Sequence, residues 1–220
     1  RAFHQSKPVN PLTGKKNPTI SNHSYGGVRY LNEAESNLNL ADIAEVVYRG
    51  ISYTPSNPNP SGWTEAGLET DCGVRFNIDA YPSYSSQIAA DVQDAIDDGI
   101  VVIGAAGNDN LLMDVPTGDD WNNRIQMNNG YGLIYYNRGA WPNSPDTDVI
   151  NVGALSDHSD FRRSTYTMFG PGVTVFAPGD QILSAFGNTG GGNDGKYPAG
   201  NYYNAINGTS MASPQVCGVA

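Results

Sequence analysis

The chain has 220 residues, 39% of them hydrophobic and 15% charged, which supports one folded domain with a sizeable core and argues against disorder. A formal charge of −10 and a pI near 4.5 argue against nucleic acid or an anionic membrane as a partner and suit an extracellular or particle-associated protein. No apolar run approaches the ~18 residues of a membrane span.

Arg1 to Lys7 reads as the end of a helix that Pro8 and Pro11 break, with His4 expected on its surface. The opening RAFHQSKPVN has neither a start Met nor an apolar leader core, and the last residues VCGVA carry no stop signal. Both ends therefore read as cut from a longer chain. NPTISNHSYGG predicts a short strand ending in a turn at Gly26 and Gly27. LADIAEVVYRGISY fits helix and strand equally, because Ile43, Val46 and Val47 suit both periods. Thr54 to Tyr84 is rich in Pro, Ser, Asn and Gly and is expected to be loop.

The next unit is the clearest. In SSQIAADVQDAIDDG, Ile88, Val92 and Ile96 recur every four residues beside Ala89 and Ala95, which predicts an amphipathic helix closed by Gly99. IVVIG follows as a wholly apolar strand, the pattern of a parallel strand buried on both faces. The small-residue loop AAGNDN then stands at the C-terminal end of that strand, where open α/β sheets place their ligand sites. Leu111 to Asn143 is another irregular stretch. DVINVGAL, VTVFAPG and QILSAF read as three further strands. GNTGGGNDGKYPAGNYYNAI reads as a Gly-rich loop leading into NGTSMASP and a last helix.

Ser210 in NGTSMASP is expected at a helix N-terminus, with Pro214 inside the first turn. Two roles fit that position. A serine there caps the helix, or it acts as a nucleophile whose oxyanion the free backbone N–H groups would hold. Asn207-Gly208-Thr209 and Asn22-His23-Ser24 match the glycosylation acceptor pattern, which chance also produces. Gly190, Gly195 and Lys196 have phosphate-loop spacing, but Tyr197 replaces the magnesium-binding hydroxyl and Pro198 obstructs the helix, so nucleotide binding is not expected. Cys72 and Cys217 sit in unlike contexts and are not expected to form a bridge.

GTSMASP, preceded by VVIGAAGN and, further upstream, by SYGG, resembles the subtilisin-like (S8) serine peptidases. VINVGAL and FAPG fall in the same order. The resemblance covers residues 18–27 and 86–220. It implies an α/β fold of three layers, with a mostly parallel central sheet, helices on both faces and long irregular insertions at 28–85 and 111–139, all within a single domain 1–220. It implies peptide-bond hydrolysis of polypeptide substrates, with Ser210 as nucleophile. Asn108 is the implied oxyanion donor, together with the Ser210 N–H. Ser24, Tyr25 and Gly26 are implied as one wall of the substrate cleft and Ala105, Ala106 and Gly107 as the other, with Thr209 also on the substrate side. Ala140, Trp141 and Pro142 are implied near the pocket base.

The family's Asp and His belong upstream of the SYGG strand, where residues 1–23 hold no Asp and no HGTH-like segment. His4, His23 and His158 are the only histidines, and none is expected to replace the missing base. The chain alone is thus expected to be inactive. No cofactor is expected to be required. Structural calcium near Asp114–Asp120 or Asp157–Asp160 is conceivable, but loop carboxylates are more often simply solvated. The competing reading is an inactive, peptidase-derived structural or protein-binding module.

Overall fold

A computed structural model of the chain describes residues 1–31, 37–78, 80–128, 130, 132–185 and 203–220. Helix α1 (Ala2–Ser6) precedes strands β1 (Thr19–His23), β2 (Val28–Tyr30), β3 (Ile43–Tyr48) and β4 (Ile51–Tyr53). Helix α2 (Glu65–Cys72), β5 (Ala80–Pro82), α3 (Ser86–Asp97) and β6 (Ile100–Ala105) follow. Then come β7 (Arg124–Met127), β8 (Leu133–Tyr135), β9 (Ile150–Leu155), β10 (Val175–Pro178), β11 (Ile182–Ala185), β12 (Tyr203–Ile206) and α4 (Thr209–Cys217).

The central sheet has the order β1-β6-β9-β10, and every pairing in it is parallel. Its middle strand explains the layers. Alternate side chains of a strand point to opposite faces, so a wholly apolar strand needs cover on both. Ile100 and Val102 of β6 pack with Val92, Ile88 and Ile96 of α3. Val101 and Ile103 point the other way and pack with Ala212, Val216 and Cys217 of α4. The result is helix, sheet, helix. Both covering helices were legible in the sequence. In α3 the Ser85 hydroxyl accepts from the Ile88 N–H, and Gly99 takes φ 94 just past the last turn.

The two stretches expected to be irregular are largely ordered and fold together. β3 and β4 come from the first and β7 and β8 from the second, and they form one antiparallel sheet in the order β4-β3-β7-β8. β2 and β5 form a separate antiparallel ribbon. In the ambiguous LADIAEVVY segment Leu40–Asp42 is a 3-10 turn and Ile43–Tyr48 is strand, because Val46 and Val47 pair with Ile125 and Arg124 of β7. Helix α2 lies where a loop was expected. It has no apolar stripe, and only its local signals mark it: Thr64 accepts from Gly67 N–H at its start and Gly73 adopts φ 67 at its end.

This second sheet and α2 enclose the largest apolar cluster, including Leu68, Val74, Tyr81, Ile125, Ile134 and Tyr136. Arg49 clamps Asp120 with two hydrogen bonds of 2.9 Å, tying the first stretch to the second. The Tyr136 hydroxyl donates to the Cys72 carbonyl at 2.8 Å, satisfying one of the carbonyls that the end of α2 leaves open. The described residues between β10 and α4 include the β11–β12 hairpin. Of the Gly-rich loop expected from Gly187 to Ile206, residues 187–202, with Gly190, Gly195 and Lys196, lie outside the described residues, and Tyr203–Ile206 is strand β12, because it pairs with β11.

Tyr136 is 1% exposed, so removing its hydroxyl strands a buried carbonyl. Tyr136→Phe should lower stability by about 1–3 kcal/mol, read as a shifted urea midpoint at unchanged slope.

Candidate active site

Helix α4 starts at Thr209, with Gly208 in the capping position and no side-chain cap. Ser210 is therefore the second helical residue and does not cap the helix. Its hydroxyl donates to the Ser24 carbonyl at 3.0 Å. Its own N–H has no acceptor among the described residues.

Pro214 lies one turn deeper than expected, in the helix interior. A proline there cannot donate to the carbonyl four residues back, which is that of Ser210. The Ser24 hydroxyl fills the gap and lies 3.0 Å from the Ser210 carbonyl oxygen. The same hydroxyl is 2.9 Å from Ser213 Oγ. Ser24 and Ser210 thus hold each other reciprocally, hydroxyl to carbonyl in both directions.

Asn108 follows β6 in the loop AAGN. Its Oδ1 accepts from the Thr209 N–H at 3.0 Å and from the Thr209 hydroxyl at 2.9 Å. Thr209 Oγ1 in turn accepts from the Gly107 N–H at 3.2 Å. With its oxygen so engaged, the Asn108 side chain has only its NH₂ group left to donate. Thr209 is 1% exposed and borders the cavity beside Ser210, with its hydroxyl engaged in this network. Gly107 has φ 116, and a Cβ on it would lie 2.5 Å from Met168 Sδ.

A cavity of about 190 Å³ opens beside Ser210 and Asn108. Tyr25, Gly26, Val28 and Pro82 line it on one side and Ala105, Ala106 and Gly107 on the other, with Ala140 and Met168 between. The expected walls therefore come together, except that Ser24 spends its side chain on α4. Of the expected base, only Ala140 reaches the cavity. Trp141 is turned away because its backbone bonds to Gly27 and Ser83, which lays its indole over Gly27. A Cβ on Gly27 would fall 2.0 Å from Trp141 Nε1.

Asn143 is a residue that the sequence did not single out. It is 2% exposed. Its Nδ2 donates to the carbonyls of Tyr25 at 2.9 Å and of His23 and Ala105 at 3.2 Å. One side-chain amide thereby sets the spacing of both walls. Its Oδ1 has no partner among the described residues and lies 2.3 Å from where a Cβ on Gly104 would be. These bonds span 38 to 120 residues, a separation that leaves no local mark in the sequence.

None of the histidines hydrogen-bonds Ser210. His4 is buried, not exposed as expected, because α1 turns it under the sheet edge, where Nδ1 lies 2.9 Å from Thr19 Oγ1. His23 Nε2 meets Ser21 Oγ at 3.0 Å, and burial lowers its pKa. His158 is exposed in a loop. Cys72 and Cys217 are both free, and burial pushes the Cys72 thiol up to about 11, which leaves it unreactive. Among the described residues, no three His, Cys, Asp or Glu side chains gather as a metal set. Asp114 accepts from the Asp120 N–H at 2.8 Å, and Asp160 pairs with Arg162. A second cavity of about 230 Å³, bordered by Arg75, Arg163 and Phe169, does not reach Ser210.

A family model described as the subtilase family matches residues 5–220. Subtilisin-like protease 5 of Arthroderma otae is 28% identical over 174 residues, which is 79% of this chain and 32% of that protein. Alkaline proteinase of Hapsidospora chrysogena is 28% identical over 207 residues, 91% of this chain and 40% of that protein. The chain thus spans well under half the length of these relatives. Among solved structures, a cold-adapted subtilisin-like serine proteinase is 29% identical with a TM-score of 0.39, over 62% of this chain and 36% of that one. Fervidolysin from Fervidobacterium pennivorans is 27% identical with a TM-score of 0.44, over 71% and 21% of the two chains.

The Pro214 relation is testable by a double-mutant cycle. Ser24→Ala should cost about 1–3 kcal/mol, because it strands the Ser210 carbonyl. In a Pro214→Ala background, position 214 regains its N–H and the same Ser24→Ala change should cost clearly less, read by urea denaturation. Asn143→Ala should also cost about 1–3 kcal/mol. Asn143→Asp should cost more, because it turns a carboxylate oxygen toward three carbonyls.

Proposed function

Because the chain belongs to the subtilase family, we propose that this cleft hydrolyses polypeptides by acyl transfer to Ser210. One observation carries the reading. The second residue of α4 offers a hydroxyl and an unengaged N–H beside an Asn108 whose oxygen is tied back by Thr209. Two donors converging where negative charge develops stabilise a tetrahedral intermediate, and they do so best when fixed in advance. Thr209 is here a positioning residue: it aims Asn108.

In this mechanism Ser210 Oγ leaves the Ser24 carbonyl and bonds to the scissile carbonyl carbon. The displaced charge on the carbonyl oxygen is held by the Ser210 N–H and Asn108 Nδ2. The Oγ proton passes to the family's histidine and then to the leaving amine as the C–N bond breaks. Water then adds to the acyl-serine and releases the acid, with the proton travelling the same route. The substrate side chain next to the cleaved bond enters the cavity between Gly26 and Ala105–Gly107.

The histidine and its aspartate are supplied by parts of the parent protein beyond these 220 residues. Within the chain, Ser210 donates to a carbonyl, and a carbonyl cannot take its proton. Ser210 is therefore an inactive nucleophile in the isolated chain. That same bond favours a second reading, a peptidase-derived binding module that never cleaves.

A fluorophosphonate probe separates the two. The full-length protein should be labelled covalently, Ser210→Ala should abolish labelling, and the isolated 220-residue chain should stay unlabelled. A full-length protein that resists the probe supports the binding module. Asn108→Ala in the full-length protein should lower kcat by about 10²–10³ with little change in KM, the loss known for such a donor in a subtilisin.

A further inference from the structure

The second cavity, of about 230 Å³, lies where the loop after β6 and the segment between β9 and β10 meet the second sheet and α2. It shares no lining residue with the cavity beside Ser210. Two guanidinium groups border it, and among the described residues neither Arg75 nor Arg163 belongs to an ion pair. Both are held in place. The Arg75 N–H donates to the Tyr81 hydroxyl at 2.8 Å, and that hydroxyl donates to the Arg75 carbonyl at 2.9 Å. Tyr81 is fully buried, which pins the backbone at Arg75. Arg163 stands at the exposed mouth. Its Nη1 donates to Asn110 Oδ1 at 3.0 Å and to the Thr167 carbonyl at 3.2 Å, and its guanidinium lies 4.4 Å from the centre of the Phe169 ring. Arg75 is half-buried, and its Nε is buried with no acceptor among the described residues. A charged donor taken out of water without a partner is costly. It is all the less expected in a chain of net charge −10, where carboxylates are plentiful.

We propose that this cavity binds a carboxylate carried on an apolar or aromatic body, either a free acid or the last residue of a polypeptide. The charges around it set the valence. Asp120 also borders the cavity, but Arg49 engages both of its oxygens at 2.9 Å. Glu69 borders it too, with Oε1 accepting from the Phe76 N–H at 3.2 Å. Two guanidinium groups against this one remaining carboxylate leave a single positive charge over. A monoanion matches that surplus, whereas a phosphate dianion would exceed it and face Glu69. The walls set the rest. Tyr48, Cys72, Leu112 and Phe169 give the ligand's body apolar surface to cover. A guanidinium takes a carboxylate in its plane through two parallel N–H···O bonds. Groups fixed beforehand, as these two are, lose little freedom when the ligand arrives. The site stands whether or not Ser210 is a nucleophile.

Calorimetric titration of the full-length protein tests this, with N-acetylphenylalanine, its C-terminal amide and inorganic phosphate as probes. The acid should bind, and the amide should bind about 10- to 100-fold more weakly, the worth of hydrogen bonds to a charged group. Arg75→Gln should lose the same factor. Arg163→Gln, at the exposed mouth where the fold is not at stake, should lose about 10-fold. Ser210→Ala and Asn108→Ala should leave the affinity unchanged, which sets this site apart from an acid lodged in the cleft beside Ser210. A hexapeptide ending in phenylalanine distinguishes the two sources: tighter binding than the acid assigns the site to polypeptide ends, and equal or weaker binding assigns it to free acids. The proposal is overturned if the acid does not bind, if the amide binds as well, or if phosphate binds more tightly. It is equally overturned if neither arginine variant changes the affinity, or if Ser210→Ala or Asn108→Ala abolishes it.

Discussion

A proline in the interior of α4 sets the geometry of the whole site. It leaves the Ser210 carbonyl without its helical donor, and a buried unpaired carbonyl is costly. The Ser24 hydroxyl repairs the defect, and the Ser210 hydroxyl returns the bond to Ser24. Helix α4 and the cavity wall that follows β1 are thereby held at hydrogen-bonding distance by two residues far apart in the chain. Neither serine can drift without exposing a partner. A regular helix with alanine at 214 would satisfy its own carbonyl and have less need of the cleft.

The walls of the cleft are built almost wholly from backbone and from small residues. That choice follows from how closely they are approached. Trp141 lies against Gly27, Met168 against Gly107 and Asn143 against Gly104, each at a distance that a Cβ would occupy. Large side chains thus pack directly on the glycine backbone, and Met168 also borders the cavity. The separate β2–β5 ribbon reaches this arrangement, since its Val28 and Pro82 enter the cavity lining. The stretches outside the central sheet thus shape the cleft as well as supplying a core of their own.

Much of the central layer was legible because its signals are local. The four-residue recurrence in α3, the unbroken apolar run of β6 and the order of SYGG, AAGN and GTSMASP each lie within short windows. The second sheet was not legible. β3 and β7 lie about eighty residues apart, and each finds its partner only when both stretches fold. Helix α2 lacks an apolar stripe, so only its end signals marked it. His4 looked exposed because a five-residue helix does not reveal which side is covered. At the cavity, Ser210 and Asn108 were singled out from motifs and border it together, whereas Asn143 was missed, because an asparagine bonding three distant carbonyls has no spacing to read.

The hydrogen-bond network around Asn108 uses only residues of the loop that follows β6 and of the start of α4. Gly107 N–H, Thr209 hydroxyl and Asn108 oxygen form one connected set, and none of them depends on a histidine. These groups are therefore organised by the same packing that buries Ile103, Val152 and Ala212. The Ser210 hydroxyl is held by a different link, the Ser24 carbonyl. The two sets of bonds meet only at the start of α4, so the loop after β6 and the segment after β1 are each tied to that helix by bonds of their own.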